Sequence, residues 1–145
     1  NTAIECDIYG NVNSSHICGT KLMNGIGGSC DFARSGFLSV FFTNSLAKKG
    51  AISSVVKFCS HIDHSEHDVS VLVSERGVAD LRGLSPKERA PLIIDKIANP
   101  IYQPELTDYF ERACKACGNS QTPHILSEAF DMYERLAKTG TMQKK

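Results

Sequence analysis

The run His67-Asp68-Val69-Ser70-Val71-Leu72-Val73-Ser74, followed shortly by Ser85-Pro86-Lys87-Glu88, decides the fold class of this chain. In the first segment Val69, Val71 and Val73 fall at every second position, the period of a strand that buries one face. In the second, Ser85 is an N-cap, Pro86 takes the first helical position and Glu88 has the spacing of a capping box. That helix is expected to run to about Ala98, where Asn99-Pro100 stops it. The change of period marks where a β-rich first two-thirds gives way to a helical last third.

Upstream of this pivot the sequence reads as β structure. Residues 3–9 and 14–18 predict a hairpin around Gly10-Asn11-Val12-Asn13. Leu38–Thr43 and Ile52–Val56 predict strands on either side of the turn Lys48-Lys49-Gly50, and Asp31-Phe32-Ala33-Arg34 starts a short helix. Downstream, a second helix follows Pro104 and ends near Gly118. A third begins after Thr122-Pro123 and carries the stripe Ile125, Ala129, Tyr133 and Leu136 as far as Gly140. Lys144-Lys145 reads as a frayed tail.

With 145 residues, 41% of them apolar, the chain is long enough for one domain with its own core. Sixteen basic residues balance sixteen acidic ones, which argues against a generic nucleic-acid or anionic-membrane binder. No apolar run approaches the roughly 20 residues of a membrane-spanning helix. Six cysteines scattered through apolar and loop contexts read as reduced thiols, which points to an intracellular protein. The chain opens on Asn1 and passes straight into strand-like sequence, so it reads as a fragment of a longer protein.

Four groups of residues have the composition to carry chemistry. Gly25-Ile26-Gly27-Gly28 lets backbone approach a ligand closely, and a helix start behind it would aim amides at an anion or carbonyl oxygen. The pattern is neither a dinucleotide fingerprint nor a P-loop, and a plain tight turn explains it locally as well. His61, His64 and His67, with Asp63 and Glu66 between them, are potential metal ligands, but the segment reads as a polar loop, without a companion Cys/His cluster. Cys114-Lys115-Ala116-Cys117 has redox or zinc spacing, yet it falls at a helix C-terminus, where incidental cysteines are the simpler reading. Glu75 closes the apolar strand before Arg76-Gly77, where strand ends of open α/β sheets deliver side chains into clefts, although spacing alone favours a surface glutamate at a strand-to-turn junction.

Several segments, taken in order, resemble the acetyl-CoA hydrolase/transferase family, and most closely its succinyl-CoA:acetate CoA-transferase branch. They are Asn1–Glu5, Asp7–Ser14, Met23–Gly28, Asp31–Arg34, Ser60–Asp68 and Ala79–Leu84. The resemblance covers roughly residues 1–113. It implies the CoA-transferase-like C-terminal domain of a two-domain enzyme: α/β, with an open mixed β-sheet flanked by helices and a helical C-terminal tail. Residues 1–118 would form that domain and 119–145 its helical extension.

The family moves coenzyme A between an acyl group, such as succinyl or acetyl, and a free carboxylate through a glutamyl-CoA thioester. By this resemblance Gly28 is an oxyanion-stabilising donor, and Asn24 and Gly28 lie near the thioester. Lys48 corresponds to a CoA-contacting lysine, Ile4 flanks the bound CoA, and Glu75 matches an acidic residue near the reaction centre. The nucleophilic glutamate belongs upstream of Asn1, so the fragment alone is expected to be inactive. Acyl-CoA is the substrate rather than a permanent cofactor, and no metal is implied. The expected partners are small carboxylates, the N-terminal domain of the same enzyme and a second copy in a homodimer, in the cytoplasm or a mitochondrion-related organelle. Cys30, Lys57, Ser74 and Arg76 depart from the family's usual Gly, Pro, Thr and Gln, and Arg76 is placed to alter acyl-acceptor preference. The rival readings are an acetyl-CoA hydrolase on the same fold and a non-catalytic CoA- or metal-binding module using His61, His64 and His67.

Overall fold

The computed structural model describes residues 1–144; the last residue of the expected frayed tail lies outside them. Lys144 is engaged, with its Nζ 3.6 Å from Glu105 Oε1. Strand β1 (Glu5–Asp7) pairs antiparallel with β2 (Val12–Asn13) and parallel with β8 (Val55–Val56), in register Cys6–Val12 and Cys6–Val55. A second sheet has the order β10 (Gly77–Asp80), β9 (Val71–Ser74), β5 (Val40–Phe42), with β9 and β10 antiparallel and β5 and β9 parallel. The two sheets are stitched where Thr2 bridges Phe42 in parallel and Ala3 N donates to Phe42 O at 2.8 Å. Two ribbons, β3 (His16–Ile17) with β4 (Lys21–Leu22) and β6 (Leu46–Ala47) with β7 (Ile52–Ser53), lie outside these sheets. The fold is α/β and mixed, as the sequence implied.

Helices α1 (Ser29–Ser35), α2 (Pro86–Lys96), α3 (Gln103–Cys117) and α4 (Asp131–Thr139) complete it. The capping box of α2 is formed, with Ser85 N donating to Glu88 Oε2 at 2.8 Å. Ala90, Ile93 and Ile94 recur at three- and four-residue spacing, so one face of α2 is buried. Leu106, Tyr109 and Ala113 do the same for α3. With Cys6, Ile8, Phe41, Val55 and Leu72 from the sheets they form one core.

Four sequence expectations change. Val12 and Asn13 are strand rather than turn, because Asp7 builds the turn itself: its Oδ1 accepts from the Tyr9 and Asn11 amides at 3.0 and 3.1 Å. The strand expected over residues 52–56 is two strands serving different partners, β6 and β1. Beyond the turn at Glu75 and Arg76 the chain returns as β10, a strand the sequence did not reveal because four residues are too short to show a period. The third helix begins at Asp131, preceded by a 3-10 turn over Leu126–Glu128, and ends as expected on a left-handed Gly140.

The C-terminal third is held by charges the sequence did not pair. Lys57 is fully buried, with Nζ 2.7 Å from both Asp131 carboxylate oxygens, 3.2 Å from Glu105 Oε1 and 4.9 Å above the Tyr109 ring. Arg135 Nη2 reaches Glu105 Oε1 at 2.7 Å. His124 stacks on Phe58, with centroids 4.5 Å apart, and its Nδ1 lies 2.8 Å from Tyr109 Oη. Burial pulls the His124 imidazole down to about 4. The unfolded chain, with an ordinary value near 6.5, therefore binds more protons, and stability is lost as pH falls from about 6.5 through 4. Melting temperatures of wild type and His124→Phe, compared at pH 7 and 4.5, should show the wild type losing more on acidification; equal losses would contradict the assignment.

Candidate functional site

Residues 1–3, β5 and β9 run parallel, so their C-terminal ends arrive at one edge. There they enclose a cleft of about 550 Å³ lined by Thr2, Ile4, Phe42, Asn44, Ser74 and Glu75, among others. Ile4 and Glu75, distant in sequence, thus share one cleft. Ile4 also lines an adjoining pocket of about 150 Å³ with Glu5, Cys18, Lys48 and Met142. Lys48 therefore stands beside Ile4, on an exposed turn whose Lys48, Lys49 and Gly50 all have positive φ (46°, 54° and 92°). Two consecutive lysines in the left-handed region are a strained arrangement that composition did not reveal.

Glu75 is exposed at the hairpin tip but gripped from behind. Its Oε2 accepts from the Ser45 amide at 2.9 Å and its Oε1 from the Ser45 hydroxyl. Burial alone would raise the carboxyl; the two Ser45 hydrogen bonds outweigh it and, with nearby Arg76, hold the group below the ordinary carboxylate range. Ser45, and Asn99 behind it at 3.2 Å, are contributors the sequence reading missed. No spacing rule joins residues 45, 75 and 99. Glu5 has the opposite environment. Burial raises its carboxyl despite hydrogen bonds from Tyr133 and Asn13 to Oε1 at 2.7 and 2.8 Å.

Asn24 and Gly28 do not line either cavity; they stand on the exposed loop that continues from Met23, which does line the cleft. The Asn24 side chain donates to Ser14 O and Gly25 O, both at 3.0 Å. Asn1 Nδ2, donating to Ser29 O at 3.1 Å, ties the loop to the segment carrying Ile4. Gly28 caps α1 with φ −87°, and its amide meets no acceptor among the described residues. A Cβ there would touch the exposed Phe32 ring at 3.3 Å. Gly27, by contrast, has φ +58° with open space around it.

The remaining candidates part company. His61 pairs with Asp63 at 3.1 Å, the buried His64 meets Ser29 Oγ at 2.9 Å, and His67 is exposed. The three rings thus face different neighbours, and no group of three His, Cys, Asp or Glu side chains among the described residues is arranged to hold a metal ion. Cys117 Sγ lies 3.3 Å from His124 O, and Cys114 and Cys117 are free thiols on the last turn of α3. Arg76 lies outside the cleft lining, with its amide bonded to Ser74 Oγ at 3.1 Å.

A mixed α/β domain whose parallel strand ends gather around a cleft is the architecture of CoA-transferase-like proteins. The chain superposes on RipA from Yersinia pestis with a TM-score of 0.68 and 32% identity, over 81% of this chain and 27% of that one. Residues 1–110 match the acetyl-CoA hydrolase/transferase C-terminal domain, and the chain belongs to that family. It is 57% identical over 143 residues to the succinyl-CoA:acetate CoA-transferase of Clostridium kluyveri, covering 99% of this chain and 26% of that protein. It is 45% identical over 151 residues to the acetyl-CoA hydrolase of Neurospora crassa, covering 99% and 29%. The chain therefore spans just over a quarter of the length of these relatives.

The two glycines separate by stability. Gly27→Ala should cost about 1 kcal/mol or more through its left-handed backbone, whereas Gly28→Ala should leave the melting temperature nearly unchanged because only the exposed Phe32 ring must yield. Thermal melts of both variants check this; a Gly28→Ala loss as large as that of Gly27→Ala would refute it.

Proposed function

We propose that this chain is the acyl-CoA-binding, oxyanion-stabilising domain of a CoA-transferase that exchanges coenzyme A between succinyl-CoA or acetyl-CoA and a free carboxylate. The observation that carries this reading is the cleft in which Ile4 faces a Glu75 kept ionised by Ser45. The higher identity to a transferase than to a hydrolase relative supports transfer to a carboxylate rather than to water.

In this reading a glutamate from the preceding domain attacks the acyl-CoA carbonyl and expels the CoA thiolate, leaving a mixed anhydride. The thiolate then attacks the glutamyl carbonyl of that anhydride, releasing the original carboxylate and forming the glutamyl-CoA thioester. An acceptor carboxylate attacks the thioester, and the same two steps in reverse deliver the new acyl-CoA. Each addition develops an oxyanion, for which the unengaged Gly28 amide is a donor free of side-chain obstruction. Asn24 lies at the same loop, Ile4 supplies an apolar flank for the pantetheine arm, and Lys48 a flexible cation for a phosphate or amide oxygen. The 145-residue chain alone, lacking the nucleophile, carries no turnover in this scheme. Its partners are the N-terminal domain of the same enzyme and a second copy.

Kinetics of the full-length protein with succinyl-CoA and acetate test the assignment. Gly28→Ala keeps the N–H but sets a methyl beside it, so it should lower kcat by obstructing the approach of the thioester to the amide, with melting temperature preserved. Near-normal kcat would remove Gly28 from the reaction. Lys48→Ala should raise KM for the CoA ester several-fold and spare kcat, since the contact is made equally before and in the transition state. An unchanged KM would return Lys48 to the solvent. Faster acyl transfer to water than to acetate would favour the hydrolase reading.

A further inference from the structure

We propose that Ser45 and Asn99 are positioning residues for Glu75: the Asn99 amide directs the Ser45 hydroxyl hydrogen onto the Glu75 carboxylate. The inference rests on the reading of Glu75 as a working group of the cleft. Ser45 is fully buried, and both its amide and its hydroxyl point at the Glu75 carboxylate, one to each oxygen. A hydroxyl has a single hydrogen and can donate it only once. Asn99 Nδ2, 3.2 Å from Ser45 Oγ, is a donor with nothing to accept, so Ser45 must accept there and spend its hydrogen on Glu75.

The orientation of the Asn99 amide is itself set. The Ile101 amide donates to Asn99 Oδ1 at 3.2 Å, which turns the NH₂ group toward Ser45. The Asn99 carbonyl accepts from Tyr102 N and Gln103 N at 2.9 and 3.2 Å, so the residue belongs to the rigid turn between α2 and α3. The Ser54 amide, donating to Ser45 O at 3.1 Å, fixes the other side. The relay therefore runs from a turn at the back of the domain to the cleft wall. Its consequence is a carboxylate that stays ionised and cannot swing, because both oxygens are anchored. Arg76 is the charged neighbour that bears on Glu75, and the other residues lining the cleft carry no charge.

The test is the pH dependence of kcat and kcat/KM in the full-length protein, with succinyl-CoA and acetate. Glu75→Gln should remove the acid limb that reports its protonation. Ser45→Ala should move that limb to higher pH and lower kcat by up to about 10²-fold, as expected for a displaced group in a reacting geometry. Asn99→Ala should move the limb the same way but less. In the Ser45→Ala background Asn99→Ala should add nothing further, since its effect passes through the hydroxyl. Ser45→Thr, which keeps the hydroxyl, should restore the limb.

An acid limb that stays in place in Ser45→Ala and Asn99→Ala, while Glu75→Gln abolishes it, would overturn the relay alone. So would an Asn99→Ala shift of equal size in both backgrounds. Should Ser45→Ala fail to fold, Asn99→Ala read against Glu75→Gln decides by the same criterion. Activity and profile unchanged in Glu75→Gln would instead overturn the reading of Glu75 itself, and the relay with it.

Discussion

Parallel alignment of residues 1–3, β5 and β9 is the constraint on which the cleft depends. Parallel strands deliver their C-terminal ends to one edge, and antiparallel neighbours would scatter them. The register is tight: Phe42 bridges Thr2 on one side and pairs with Val73 on the other. That places Ile4, Asn44 and Glu75 within a few residues of the same boundary. A slip of one residue in β5 would turn Phe41, now fully buried, out to solvent, so the core and the cleft select the same register.

The helical third is fastened by a different kind of force. Lys57 has no exposed surface, and an ammonium buried without partners would be prohibitively unfavourable. Asp131 from α4 and Glu105 from α3 supply the compensating charges, so both helices must dock for Lys57 to be tolerated. Arg135 and Lys144 extend the network along Glu105. Charges of this kind specify an arrangement more than they add net stability. The apolar faces of Leu106, Tyr109, Met132 and Leu136 supply the driving force.

Much of the secondary structure was legible because local rules dominate where they are strong. The Ser85–Glu88 capping box, the Asn99-Pro100 stop and the left-handed Gly140 each work within one turn of chain. The rule failed where pairing came from afar. Val12 and Asn13 resemble a turn in composition, yet β1 captures them, and residues 52–56 divide because β6 and β1 each claim part of the run. Gly28 shows a subtler limit. Sequence marks the glycines of the loop alike, while the backbone gives only Gly27 a positive φ and leaves Gly28 with an ordinary one.

By itself the sequence determined the family and, through it, the α/β class, together with the capped start of α2, the Gly140 end of α4 and the residue types available for chemistry, while the Pro123 start of the third helix gave way to Asp131. These follow from nearest-neighbour sterics and from ordered motifs that need no knowledge of the rest of the chain. Tertiary structure alone decided that Ile4 meets Glu75, that Ser45 and Asn99 stand behind it, that Lys57 finds Asp131, and that His61, His64 and His67 turn to separate neighbours. Each is a contact between residues far apart in the chain or a matter of side-chain direction. Such contacts arise from the closure of long loops around a common core, where the favourable term is the summed burial of the whole domain and no local pattern encodes the outcome.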